Sequence, residues 1–402
     1  MKQTMMSMKV NNTPEKFSEM LREMGDIFWW PGGKFWVITA YSHAKSILLS
    51  DDFTCDRSSF FVSRMPEMDL QLIQDFFGVV GKMMVMSDPP QHTARRRICY
   101  NGFTQQTLEN LQPLLEKTIQ KQITHCAEKG EIELVEDIAK IIPSTILADF
   151  FNIPESERND FYHWSNNMTQ FFGGSSSYQN ADGIEVNNSA KALKNYFESL
   201  MQERRKNPKE DFLSILLTHQ ATFALTDEEI VSQAIMMLVA GQVTTTDQFC
   251  NNMYTLLSAQ KNKEALLEQT PDIEVALDEL NRLDPAVTFI FRVTKRDTLI
   301  GKQPIKAGDV IFISTHAVNR DPTVFENPNA CNFLRKSNRE ISYGLGGHYC
   351  LGAKLARIEM KNCLSQLLAR FPTLRLSPHE LAIRKHHSLS FSGFERLPLV
   401  FT

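Results

Sequence analysis

From Thr226 to about residue 260 the chain keeps one helical pattern with no proline to break it. Thr226-Asp-Glu-Glu229 opens it as a capping box: the Thr226 hydroxyl can accept from the Glu229 amide while the Glu229 carboxylate reaches back. At ~1.5 Å per residue such a helix runs roughly 50 Å, long enough to cross a whole domain. Whatever the chain folds into must pack along it. Apolar residues recur at three- and four-residue spacing over 105–126, 189–206 and 355–369, predicting more helices. Strand signals are few: 34–39, aromatic and β-branched after the Pro31-Gly-Gly33 turn, then 297–300, 309–314 and the chain end from 387 to 401. The expectation is one mainly α domain over 1–402 with small β-sheets, β-rich near 27–60, 287–315 and 375–402. The polar, Gly/Ser-rich stretch 173–183 reads as a loop between helices, of a length that often serves as a lid.

A length of 402 residues, 42% of them hydrophobic, supports a large core, and a net charge of −4 points away from nucleic acid and charged membrane surfaces. No apolar run approaches the ~20 residues that span a bilayer, and the polar N-terminal residues do not form a signal peptide. A cytoplasmic monomer without a membrane anchor is expected. The seven cysteines, Cys55, Cys99, Cys126, Cys250, Cys331, Cys350 and Cys363, are odd in number and form no CxxC pair, against both a disulfide framework and a Cys-rich zinc site. Six of them read as small buried hydrophobes.

Cys350 reads differently. Tyr343, Gly344, Gly346, Gly347 and His348 precede it, and Leu351-Gly-Ala-Lys-Leu-Ala-Arg357 after it reads as a helix start. A helix N-terminus favours the thiolate, the form of cysteine that binds metal. Glycines let the loop bend and let backbone approach a flat ligand. A lone thiolate suits an axial haem ligand better than zinc, which takes four ligands.

The stretch Tyr343-x-x-Gly346-x-x-x-Cys350-x-Gly352 resembles the haem-binding loop of the cytochrome P450 family, Phe-x-x-Gly-x-x-x-Cys-x-Gly, with tyrosine where phenylalanine is usual. A buried phenol there requires a hydrogen-bond partner. Glu279 and Arg282, three apart on one helix face, match the family's Glu-x-x-Arg, and 319–325, Pro328, Phe333 and Arg335 resemble the segment that completes that network. The resemblance implies haem b with Cys350 as the metal ligand. His92 and Arg96 of Asp88-Pro-Pro-Gln-His-Thr-Ala-Arg-Arg96, together with Arg292 and His348, are implied to bind the propionates. Tyr343, Gly344, Gly352, Ala240 and Gly241 are implied to line the cofactor.

Ala240-Gly-Gln-Val-Thr244-Thr-Thr lies midway along the long helix, where the family reads Ala-Gly-x-Asp/Glu-Thr. Thr244, with Gln242 beside it, is the expected catalytic group, its hydroxyl bonding back toward Ala240. Val243 occupies the acid's place, so proton delivery is expected to run through Thr244, ordered water and a substrate hydroxyl. Met83, Met84, Phe171, Phe172, Met237, Ala240, Val287, Phe289, Ile290 and Phe391 are the candidate substrate lining, apolar and Met-rich.

The implied activity is a haem-thiolate monooxygenase that activates O₂ with two external electrons. It would hydroxylate, desaturate or epoxidise a lipophilic small molecule, with tailoring of a polyketide-type or antibiotic metabolite as the closest family likeness. Two other readings stand beside it: peroxide-driven or isomerising chemistry, and a non-catalytic haem sensor. The electrons are expected from an acidic ferredoxin or flavodoxin docking on Arg95, Arg97, Lys354 and Lys361. A carrier protein is a further candidate partner.

Overall fold

A computed structural model describes residues 4–63, 69–172, 180–269, 272–336 and 338–401. The described chain forms two compact units interleaved in sequence. One comprises Met1–Phe53, Leu115–Ile142 and Thr244–Thr402, the other Thr54–Leu114 and Pro143–Val243. Three of the crossings fall inside helices: Gln105–Lys129, Ile141–Phe150 and Asp227–Leu257.

The long helix forms as expected. Asp227–Leu257 has 31 residues, and Thr226 caps it reciprocally: the Glu229 amide donates to Thr226 Oγ1 at 3.2 Å and the Thr226 amide donates to Glu229 Oε2 at 2.9 Å. The other helical patterns become Gln105–Lys129, Asn180–Lys206 and Ala353–Arg370. The expected loop over 173–183 is shorter at its far end. Asn180 to Gly183 form the first turn of the Asn180–Lys206 helix, and 173–179 lie outside the described residues.

The first unit holds a mixed sheet ordered Ile27–Trp30, Phe35–Ile38, Val310–Ser314, Phe289–Thr294, with Phe53–Thr54 at its edge. Ile27–Trp30 and Phe35–Ile38 form a hairpin with Trp29 opposite Trp36. Phe35–Ile38 then runs parallel to Val310–Ser314, which pairs antiparallel with Phe289–Thr294. Alternation sends Ile38, Ile311 and Ile313 into one core with Ala44, Ile47, Val318 and Ile341. Ile341 is the last residue before the Cys350 loop, so this core fixes where the loop starts. Phe394–Arg396 and Pro398–Val400 supply the strands expected near the chain end, whereas residues 385–390 form a loop.

The second unit is helical. Asn180–Lys206 packs against Arg158–Phe172 and Gln74–Val80. Phe150, Phe151, Phe197 and Phe212 form its aromatic centre, with Phe151 edge-on to Phe197 at 5.1 Å and to Phe212 at 5.5 Å. Among the described residues no helix is long and apolar enough to cross a membrane.

Candidate active site

Cys350 is the one exposed cysteine of the seven; Cys55, Cys99, Cys126, Cys250 and Cys363 are buried and Cys331 is half-buried. Its amide donates to the Tyr343 carbonyl at 2.8 Å, closing the loop into a compact turn. The Gly346–His348 segment is a 3₁₀ turn, and the Ala353–Arg370 helix starts three residues after the sulfur. Gly346 has φ +69°, and a Cβ there would meet Leu49 Cδ2 at 2.8 Å and the Leu48 carbonyl at 3.2 Å. Gly344 has φ +74°, so both positions require glycine for their backbone conformation. Nothing stands within 4 Å of a Cβ built on Gly352, which leaves the approach beside the sulfur open.

Tyr343 finds the partners its phenol needs. Asn281 Nδ2 donates to its hydroxyl at 3.4 Å, and the Arg357 guanidinium lies 4.4 Å from its ring centroid. Burial pushes the phenol pKa well up, so it stays neutral. Arg357 is the residue that sequence reasoning missed. Seven residues beyond Cys350, in the second turn of the Ala353–Arg370 helix, it pairs with Asp278 at 2.9 Å and Glu340 at 3.7 Å and donates to the Tyr349 hydroxyl at 3.1 Å. It thus joins both flanks of the loop to the helix that follows. The two-turn spacing from the sulfur was the available signal.

Beneath the loop lies an ion-pair network whose centre, Glu279 and Arg282, is fully buried. Arg282 makes two parallel 2.8 Å bonds to Glu279. It also donates to the carbonyls of Asn319 at 2.9 Å, Pro328 at 2.7 Å and Ala330 at 3.1 Å. Arg335 Nε reaches Glu279 at 3.0 Å, and the Asn332 amide donates there at 3.0 Å. Phe325 lies under both guanidinium groups, 5.2 Å from Arg282 and 5.9 Å from Arg335. The network reaches the loop through Asn319, whose side chain accepts from the Ile341 amide at 2.9 Å and donates to Ser342 Oγ at 3.0 Å.

On the long helix every residue from Ile230 to Met253 is buried except three: Ala240 is exposed, and Gly241 and Thr244 are half-buried. The spacing of 240, 241 and 244 makes them one face. Gln242 turns away from that face. Its amide donates to Ser144 Oγ at 2.9 Å, and its carbonyl oxygen accepts from Ser165. This corrects the expectation that Gln242 acts beside Thr244: both ends of the amide are spent on a tether between helices. Asp247 is no substitute acid either. It is buried, ion-paired with Lys385 at 2.7 Å, and pressed against Gly393. Val243 is buried.

In the second unit the Gln91–Tyr100 helix places His92 and Arg96 on one face, His92 buried and Arg96 half-buried. Arg95 corrects the docking expectation. It is buried, pairs with Glu229 at 2.8 Å and donates to Ser87 Oγ, so it serves as an internal tether and not a docking cation. Arg97 and Lys354 are exposed, while Lys361 pairs with Glu274 at 3.0 Å. In the first unit Arg292 is buried and His348 half-buried.

The candidate lining divides. Val287 and Phe391 face each other across an isolated antiparallel bridge, both half-buried. The Met84 amide donates to Gln233 at 2.9 Å, one turn before Met237 on the long helix; Met83, Met84 and Met237 are buried. Phe171 packs edge-on to Phe76 at 4.9 Å. The Phe172 side chain lies outside the described residues. Phe289 is corrected to a core residue, packed between Phe17 and Phe312 at 6.3 and 5.7 Å, and Ile290 leans on the sheet core.

An exposed sulfur on a glycine loop at a helix start fits a thiolate-ligated cofactor. On the long helix Ala240 is exposed, while a Cβ on Gly241 would meet Leu147 at 3.2 Å. Comparison with known proteins agrees. The cytochrome P450 family model matches residues 3–385. The polyketide biosynthesis cytochrome P450 PksS of Bacillus subtilis is 30% identical over 368 residues, covering 90% of this chain and 88% of that protein. The biotin biosynthesis cytochrome P450 of Bacillus subtilis is 29% identical over 393 residues, 96% of each. The solved structure of P450BioI with a hexadec-9Z-enoic acid ligated acyl carrier protein superposes with a TM-score of 0.87 at 28% identity, covering 97% of this chain and 99% of that one. With nearly its whole length matched and its one exposed cysteine on the family's loop, the chain belongs to the cytochrome P450 family, the haem-thiolate monooxygenases.

Proposed function

We propose that this monooxygenase oxidises a lipophilic small molecule of secondary metabolism, of the polyketide type, by hydroxylation, desaturation or epoxidation. The observation that carries the reading is the exposed Cys350 sulfur on a loop clamped from below by Glu279, Arg282 and Arg335. The polyketide class is supported by the likeness to PksS. When bound at Cys350, haem supplies activation of O₂ and oxidation of the substrate. Cys350 would ligate it, and Arg292 and His348 of the same unit would hold its propionates through charge-assisted bonds; in the other unit His92 and Arg96 share a helix face suited to the same role. Tyr343 and Arg357 hold the loop so that the sulfur keeps its direction. Ala240 leaves space on the helix face, Gly241 lets Leu147 pack close to the helix, and Gly344 and Gly352 let backbone come close. In the first unit Val287 and Phe391 would exclude water and receive the apolar substrate; in the second, Met83, Met84, Phe171 and Met237 are apolar side chains suited to the same role.

Thr244 is the half-buried hydroxyl on the face it shares with Ala240 and the group that passes protons there. Thr244→Ala is expected to lower product formed per reductant consumed by ~10-fold or more, while reductant use continues. Unchanged coupling removes Thr244 from proton transfer. One observation favours a second reading: with Val243 in the acid's place and Asp247 paired to Lys385, no carboxylate of this helix serves that face. Turnover with hydrogen peroxide alone, and none with a reductase system, would establish peroxide-driven chemistry instead.

The electron donor is a ferredoxin or flavodoxin attracted to Arg97 and Lys354 in a cytoplasmic setting. The likeness to P450BioI with its acyl carrier protein supports a carrier-bound substrate as a variant of the same reading. Arg97→Glu and Lys354→Glu are each expected to slow reduction roughly 3- to 10-fold at low salt, with the difference fading as salt rises. Stopped-flow reduction at several ionic strengths checks this, and an unchanged rate in either variant would exclude that side chain.

A further inference from the structure

The N-terminal Met5–Val10 helix carries a lysine with an uncommon set of partners. Lys9 Nζ donates to three carbonyls of one loop: Ser388 at 2.7 Å, Leu389 at 3.2 Å, and Phe391. An ammonium has three N–H donors, so these bonds use its full capacity. The same loop is held from two further sides. Thr288 donates its amide to Ser390 O at 2.8 Å and its hydroxyl to Leu389 O, and the Ser392 amide donates to Ala286 O at 2.8 Å. Asn251 of the long helix donates to Ser392 O at 3.0 Å. The grip of Lys9 on this loop comes from the chain's beginning, some 380 residues away.

We propose that Lys9 is a specificity-positioning residue: its ammonium sets the path of the 388–391 backbone and thereby the placement of Phe391 opposite Val287. The proposal rests on the reading that Phe391 and Val287 wall the substrate space. Polar partners that could substitute for Lys9 are already committed. Arg384 pairs with Asp284 at 2.6 Å, His316 lies 3.3 Å from the same carboxylate, and Lys385 pairs with Asp247. His387 lies against Glu395 at 3.5 Å. Desolvation lowers the Lys9 pKa to about 7, Arg384 pushes the same way, and Asp284 and Asp247 oppose it. Above that pH a neutral amine has two N–H donors for three carbonyls, so the grip weakens as pH rises.

The test uses the haem-loaded enzyme, Lys9→Met and Phe391→Ala. Two properties are read: hydrogen exchange of the Phe391 and Ser392 amides, and the affinity ratio of cyclohexyl to methyl isocyanide. Both probes are neutral and differ in bulk, so a displaced wall is expected to act on the larger one. Lys9→Met is expected to speed exchange at these amides about tenfold, with the Glu279–Arg282 region unchanged, and to shift the affinity ratio at least threefold. Phe391→Ala is expected to shift the ratio similarly. A ratio that moves in Phe391→Ala and not in Lys9→Met overturns the role of Lys9 and leaves the pocket reading standing. A ratio that moves in neither overturns the pocket reading, and the proposal with it. If Lys9→Met does not fold, Lys9→Gln carries the same readouts with a shorter, neutral two-donor arm. An unchanged ratio there, with Phe391→Ala shifted, overturns the proposal.

Discussion

Glu279→Ala is expected to cost about 3–5 kcal/mol, a large part of the 5–15 kcal/mol that holds a typical domain together. The carboxylate is the common acceptor for Arg282 and Arg335, both largely or fully buried, and for the Asn332 amide. Removing it leaves two guanidinium groups near Phe325 with no counter-charge. Arg282→Ala is expected to be milder, because Arg335 still pairs with Glu279 at 3.0 Å. Arg282→Lys does not restore stability, since a point ammonium cannot make two parallel bonds to Glu279 and also serve three carbonyls. Denaturant midpoints measure the order of these effects. Haem content should fall with them, because Asn319 links this network to Ile341 and Ser342 at the loop start. A Glu279→Ala protein with wild-type midpoint and haem content would show that the network does not support the loop.

Cys350→Ala has the opposite character: a small effect on folding and a complete effect on chemistry. The side chain is exposed, so its loss leaves no cavity, and the loop keeps its closing bond from the backbone amide to Tyr343 O. The reduced carbon monoxide complex should lose its thiolate signature, and oxidation of any substrate should fall to background. Cys250→Ala is the informative contrast. Cys250 is buried and burial holds its thiol protonated, so that change should cost stability and leave the spectrum intact. A thiolate spectrum surviving in Cys350→Ala would assign ligation to another residue.

The local geometry of much of the candidate site was legible because its parts are local. The Cys350 loop, the Glu279–Arg282 pair and the His92–Arg96 face each sit within one helix turn or one tight loop, where spacing alone sets geometry. Errors arose where a side chain's direction depends on which neighbours occupy it. Gln242 and Thr244 are two residues apart, and a helix points such a pair to different faces. Nothing local says that Ser144 and Ser165 await the amide. Arg95 looked like a surface cation among three consecutive arginines, yet Glu229 and Ser87 draw it inward. Phe289 alternates into the sheet core, a matter of register with Val310–Ser314 that strand propensity cannot supply.

The sequence by itself determined the long capped helix, the mainly helical class and the family's cysteine loop, since these follow from periodicity, capping chemistry and short motifs. Only the tertiary structure decided what faces what: the Arg357 brace under Tyr343, the tether made by Gln242, and the grip of Lys9 on Ser388, Leu389 and Phe391. These contacts join residues separated by up to 382 positions. The physical reason is that a buried polar group takes whichever partner the packing brings within about 3 Å, and sequence spacing carries no record of that partner.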